Sequence, residues 1–148
     1  MERDEAYLYL KKSLENQNNI PIYNLTWKDI REMIDNIVTS ITSTKEEKQT
    51  LLSSLTHYRY VDNLNDLRDG SYIRWIRVNP GYTSIWLNKG AICCNVNITE
   101  KGAGIVCKYM RTGKYFILQP VEEYIIFQKL SNQEMTLLNA IEAIRINT

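Results

Sequence analysis

Residues 69–130 read DGSYIRWIRVNPGYTSIWLNKGAICCNVNITEKGAGIVCKYMRTGKYFILQPVEEYIIFQKL, and this stretch decides the fold. Short apolar segments alternate with turns containing Gly or Pro, a pattern typical of small antiparallel sheets. We predict strands over residues 71–78, 83–87, 91–99, 104–110, 114–119 and 124–128. About sixty residues are too few for an immunoglobulin-type sandwich, so we expect a bent SH3-like or Sm-like β-barrel of five or six strands.

The segment over residues 91–99 has the clearest alternation of apolar and polar residues. One side carries Ile92, Cys94, Val96 and Ile98, and Cys93 points the other way with two asparagines. A half-buried strand has this period of two. We therefore expect the Ile92 side to face the inside of the barrel.

Helical patterns flank the strands. Thr26 is a good N-cap, and apolar residues recur every three or four positions from Ile30 to Ile41. The residues at 44–47 and 131–134 both fit capping boxes. We predict an α+β protein, whose parts are an N-terminal helical unit over residues 1–57, a linker over 58–68, and the barrel with a C-terminal helix over 69–148.

Composition excludes several classes of protein. The 148 residues are 44% hydrophobic and carry a net charge of +1, which gives no general attraction to nucleic acid or membrane. The chain has no apolar run long enough to span a bilayer, and its first residues lack the order of a signal peptide. Three cysteines, two of them adjacent, suit reduced thiols in a cytoplasmic compartment.

No motif predicts catalysis or a bound cofactor. His57 is the only histidine, and no pattern places it beside Cys93, Cys94 or Cys107 as a nucleophile or a zinc ligand. Glu122 and Glu123 are adjacent in a turn, where paired carboxylates would point apart. The glycine-rich residues 101–104 precede a strand, which does not fit a phosphate loop. We expect no enzyme, no metal, no cofactor and no small-molecule substrate.

Basic and aromatic residues mix at two places in the predicted barrel. The strand over residues 71–78 carries Tyr72 and Trp75 among its arginines, and residues 108–115 form a basic hairpin with two tyrosines. Such a surface can stack bases and contact phosphates. The candidate nucleic-acid-binding residues are Arg74, Arg77, Lys108, Arg111 and Lys114.

The second predicted helix is apolar around much of its circumference. Core packing accounts for most of this surface, and any remainder would bind protein. The candidate protein-binding residues are Trp27, Ile30 and Ile34. The partner would be another protein or a second copy of the chain.

Three segments resemble a group of small β-rich proteins of nucleocytoplasmic large DNA viruses. They are Asp69–Ile76 (DGSYIRWI), Leu87–Ala91 (LNKGA) and Ile125–Leu130 (IIFQKL), and the similarity covers roughly residues 67–145. The resemblance carries over no catalytic residue. It implies a viral protein in the host cytoplasm or in the particle.

The sequence thus favours a non-enzymatic protein–protein interaction or assembly protein, and the resemblance implies a viral structural or accessory protein. The alternative is a nucleic-acid-binding small β-barrel protein. The predicted location is cytoplasmic.

Overall fold

The structure is a computed structural model that describes residues 3–78, 85–100 and 102–146. Four helices and six strands form its regular elements. The helices are α1 (Arg3–Glu15), α2 (Trp27–Ile41), α3 (Lys45–Ser54) and α4 (Asn132–Ile146). The strands are β1 (Tyr58–Val61), β2 (Tyr72–Arg77), β3 (Ala91–Thr99), β4 (Gly102–Lys108), β5 (Tyr115–Leu118) and β6 (Tyr124–Lys129). Short 3₁₀ turns lie at Gln17–Ile22, Leu64–Asp66 and Val121–Glu123.

The chain divides into two compact units, with the boundary inside α2. Residues 1–33 and 130–148 form one unit, and residues 34–129 form the other. The first contains α1, the start of α2 and α4; the second contains the end of α2, α3 and all six strands. No helix in the described part of the chain is long and apolar enough to cross a membrane.

In the first unit, side-chain caps begin the helices. Thr26 and Asp29 cap α2 reciprocally, as do Ser131 and Glu134 for α4, each with two hydrogen bonds of 2.9–3.1 Å. Each pair satisfies backbone N–H groups that have no partner within the helix. Both caps agree with the sequence, which placed helix starts at these positions.

In the second unit, the six strands form one antiparallel sheet in the order β1-β6-β2-β3-β4-β5. The mixed helix-and-sheet class and the C-terminal helix are as the sequence predicts. The sheet is open, because β1 and β5 are its two edges among the described strands. A barrel requires those edges to pair, so the predicted closure is not confirmed.

Two segments differ from the strands that the sequence predicts. β1 lies inside the stretch predicted as a linker, and it pairs with β6 in the register Tyr58↔Lys129. The predicted strand over residues 83–87 begins outside the described residues. Of its described end, only Leu87 bonds to the sheet, through an isolated bridge to Ile76.

One hydrophobic cluster of the sheet unit packs on the face of the sheet to which β3 contributes Ala91 and Cys93. Ile76 and Phe127, on the other face, are also fully buried.

The predicted inward face of β3 is wrong for Ile92 and Cys94, because Cys93 is fully buried on the core face. Val96 and Ile98, opposite Ile105 and Ala103, do share the core face, although Ile98 is 77% exposed. A bulge between Cys93 and Asn95 is the reason. The extra residue shifts the alternation by one position. The residues that face the core are therefore odd-numbered before the bulge and even-numbered after it.

A buried amide ties the chain before β2 to β6. Gln128, in β6, is 1% exposed, and its Oε1 accepts a hydrogen bond from the Arg68 backbone N–H at 2.8 Å. The Ser71 hydroxyl also lies 2.8 Å from this oxygen. The contact fixes the entry into β2, and therefore the orientation of the side chains along it.

Candidate functional site

Strand β2 places the two candidate arginines on opposite faces of the sheet. Ile73 and Trp75 are buried in the core, whereas Arg74 is half-buried on the other face. Arg77 follows Trp75 by two residues and so shares its face. This alternation along β2 agrees with the sequence, but it separates Arg74 from Arg77.

Arg77 has a carboxylate partner. Its Nη2 lies 3.1 Å from Glu123 Oε2, and its guanidinium carbon lies 5.9 Å from the centre of the Tyr124 ring. This ion pair already satisfies part of the guanidinium, which weakens the case for Arg77 as a phosphate contact.

The other three candidate cations lie in and beside the turn that joins β4 and β5. Lys108 Nζ is 5.5 Å from the centre of the Tyr115 ring, and Arg111 and Lys114 are exposed. The structure therefore brings three of the five predicted cations to one hairpin. It does not bring all five to one surface.

The candidate protein-binding residues of α2 differ in exposure. Ile30 and Ile34 are buried. Trp27 is half-buried, and its indole Nε1 donates a hydrogen bond to Asn139 Oδ1 at 2.7 Å. A partner that bound α2 without a change in its packing would contact part of the Trp27 ring and neither isoleucine.

A groove lies beside α3 in the sheet unit. Its volume is about 420 Å³. We call it the α3 groove, and its lining residues are Thr42, Glu46, Glu47, Thr50, Leu51, Ser54, Arg74, Ile85, Trp86 and Leu87. One wall is therefore polar and helical, and the opposite wall is the apolar segment that precedes β3.

Arg74 connects these two walls. Its Nε donates to the backbone oxygen of Asn88 at 2.8 Å, and its Nη1 makes a longer contact of 3.5 Å to the backbone oxygen of Ser54, at the end of α3. The Asn88 N–H in turn donates to Trp75 O at 2.9 Å. One guanidinium thus links helix, sheet and segment, and its described partners are neutral carbonyls.

Arg74 also lies near the phenol of Tyr58. Burial raises the pKa of Tyr58 above its ordinary value of 10.0, and the positive charge of Arg74 opposes that rise. The phenol therefore stays neutral near pH 7, and of these two groups Arg74 carries the charge.

Trp86 makes the apolar wall unusual, because its large aromatic ring is open to solvent. Its side chain is 73% exposed, although tryptophan is highly buried on average. Across the groove, Glu46 and Glu47 are exposed, and neither forms an ion pair within the described residues. An open aromatic face therefore shares the groove with two unneutralised carboxylates.

The sequence analysis missed Trp86. The apolar run over residues 83–87 indicates a strand, and a strand suggests pairing and burial. A turn signal lies on each side of this run, at 79–81 and 88–90. The short distance between these two turn signals was the feature of the sequence that indicated an exposed connection and not a paired strand.

The cysteines and the histidine, which the sequence analysis weighed and set aside as catalytic groups, differ in burial. Cys93 and Cys107 are fully buried, and burial raises the pKa of their thiols to about 11 and about 12. Such thiols are protonated near neutral pH and are poor nucleophiles. His57 is exposed. Among the described residues, no group of three or more His, Cys, Asp or Glu side chains could hold a metal ion.

Comparison of the chain with known protein families, with characterised proteins and with solved structures finds no match. The site must therefore be interpreted from its own geometry.

Proposed function

We propose that this chain is a non-enzymatic protein-interaction or assembly protein, and that the α3 groove holds a segment of its partner. The exposed ring of Trp86 is the observation that carries the proposal. Large apolar side chains left in solvent beside a concave surface mark binding sites, and tryptophan is enriched among residues that dominate binding energy.

The charges of the groove favour a particular partner segment. Glu46 and Glu47 are available to a cation, and an ammonium or guanidinium group is also attracted to the face of an indole ring. Arg74 already donates to two backbone carbonyls. The segment that fits is therefore a basic residue, Lys or Arg, flanked by apolar residues that contact Ile85 and Trp86.

Short synthetic peptides test this assignment. One peptide carries Lys between two leucines, and its matched control carries Glu in place of Lys. We expect the Lys peptide to bind at least about tenfold more tightly, measured by fluorescence anisotropy, and to shift the indole N–H signal of Trp86 in NMR spectra. Trp86→Ala, and Glu46→Gln combined with Glu47→Gln, should each abolish this preference.

Met110→Ala is the matched control variant, because Met110 is also strongly exposed but does not line the groove. It should bind the Lys peptide as the wild type does. Equal binding of both peptides, or unchanged binding after Trp86→Ala, would contradict the groove assignment.

Nucleic-acid binding is the second candidate function, and the basic hairpin with Lys108, Arg111 and Lys114 is what favours it. We expect only weak, non-specific binding, roughly 10⁻⁴ to 10⁻⁶ M at physiological salt. Tighter binding that is lost when all three residues are changed to Glu would favour nucleic-acid binding over protein interaction as the function. The resemblance to viral proteins, and a place in the host cytoplasm or particle, remain predictions.

A further inference from the structure

We infer that two copies of this chain associate edge to edge through β5, in a surface separate from the α3 groove. The two edges of the sheet are not equivalent. β1 has no exposed side chain and directs the buried Arg59 inward, and inward charges protect an edge from pairing. β5 has no inward charge: its sequence YFIL is uncharged, and two of its four side chains are strongly exposed. The cation beside it, Lys108 of β4, lies over the Tyr115 ring.

The backbone of β5 is prepared for another strand. The Tyr109 N–H donates to Lys114 O at 3.0 Å, so these two residues, just beyond the ends of β4 and β5, occupy a hydrogen-bonded position in line with the ladder. Such pairs alternate along an antiparallel ladder, so the next are Cys107↔Phe116 and Ile105↔Leu118. The N–H and C=O groups of the residues between them point away from β4.

Those intervening residues are Tyr115 and Ile117, which also carry the exposed side chains of the strand, at 65% and 50%. No described strand pairs with their outer side. Free main-chain donors and acceptors thus coincide with apolar surface on one short strand.

A second copy fits this edge by symmetry. A two-fold axis through Phe116 pairs Tyr115 of each copy with Ile117 of the other, as hydrogen-bonded pairs. This register makes four main-chain hydrogen bonds and two aromatic–aliphatic contacts, a favourable kind of cross-strand pair. It keeps each side chain on its present face of the sheet, because the paired positions share a face.

Two changes at Ile117 test the dimer. Ile117→Lys places a charge on the edge, and Ile117→Pro removes a donor that points outward while leaving the ladder to β4 intact. We expect wild-type chain to form a dimer as its concentration rises in analytical ultracentrifugation. Both variants should weaken the association at least about tenfold. Circular dichroism checks that each variant is folded. If Ile117→Pro disrupts the strand, the test of the dimer rests on Ile117→Lys.

Ile98→Lys is the matched control, because Ile98 is an exposed isoleucine of the same sheet on the inner strand β3. It should dimerise as the wild type does. Wild-type chain that stays monomeric at millimolar concentration, or a dimer that both Ile117 variants leave unchanged, would overturn the inference.

Disulfide trapping tests the register. Chains with Tyr115→Cys mixed with chains with Ile117→Cys should cross-link, since hydrogen-bonded pairs have Cα atoms about 5.5 Å apart, within disulfide range. Either variant alone should link no better than wild type, because like positions would be more than about 7 Å apart. Efficient links between like variants would overturn the proposed register.

Discussion

Among the described glycines, Gly90 is the one at which an added Cβ would meet the closest atoms. Its φ is +107°, a region that side chains disfavour, and a Cβ there would lie 2.6 Å from Tyr72 Cε1 and 2.7 Å from Ile73 O. We expect Gly90→Ala to lower the free energy of unfolding by about 2–4 kcal/mol in urea denaturation. Gly70→Ala is the control: φ is +83° but a Cβ meets nothing within 4 Å, so the loss should be about 1 kcal/mol. Equal losses would mean that the contacts with β2 are not as described.

The buried thiols make stability depend on alkaline pH. Burial raises the pKa of Cys93 to about 11 and of Cys107 to about 12, from an ordinary value of 9.0. The folded state therefore holds these protons more tightly than the unfolded state does. Their contribution to stability is complete below pH 9 and is lost as the pH rises toward 12. Burial of Tyr58 acts with the same sign.

We therefore expect the melting temperature to fall steadily above pH 9, and to fall less steeply in a Cys93→Ala, Cys107→Ala double variant. Cys94→Ala is the control for the loss of a thiol as such, since Cys94 is only half-buried. Identical slopes in all three proteins would show that the buried thiols do not contribute.

Among the elements, β6 is linked to the chain before β2 by a buried polar side chain, that of Gln128. Gln128→Leu keeps the approximate volume but removes the acceptor for the Arg68 N–H and the neighbour of the Ser71 hydroxyl. A buried donor left without its partner costs about 1–3 kcal/mol, and we expect a loss of this size in urea denaturation. Gln128→Glu retains an acceptor and should restore part of the lost stability at low pH, where the carboxyl is neutral. An unchanged free energy of unfolding in Gln128→Leu would contradict the described hydrogen bonds of Gln128.

Local patterns predicted most strands closely and failed where the ladder is irregular. β3 is observed over the predicted residues 91–99, and β2 and β5 lie within one residue of their predicted ends. The bulge in β3 has no marker in the alternation, because Ile92 to Ile98 keep a perfect period of two in the sequence. β1 was missed because it is only four residues long and its burial runs against its polarity. Arg59 is buried, whereas the tyrosines on either side of it are only half-buried.

For the whole molecule, the missing information was long-range. Closure of a barrel depends on strand tilt and stagger, which no local segment reports, and the observed sheet stays open. The α3 groove also depends on contacts between distant parts of the sequence. Its walls come from residues 42–54 and 85–87, and Arg74 joins them. The sequence could mark Arg74 as a functional candidate, but it could not show that the side chain links two distant segments.

The bulge in β3 also bears on how this gene can change in length. Cys93 faces Cys107 and Asn95 faces Val106, so the residue between them, Cys94, is one more than the ladder requires. An in-frame loss of its codon would leave every other residue of β3 opposite its present neighbour. The same loss in the middle of β4 would turn each following side chain to the opposite face of the sheet. Inherited length variation inside the sheet should therefore be tolerated at this codon and eliminated elsewhere along β3 and β4.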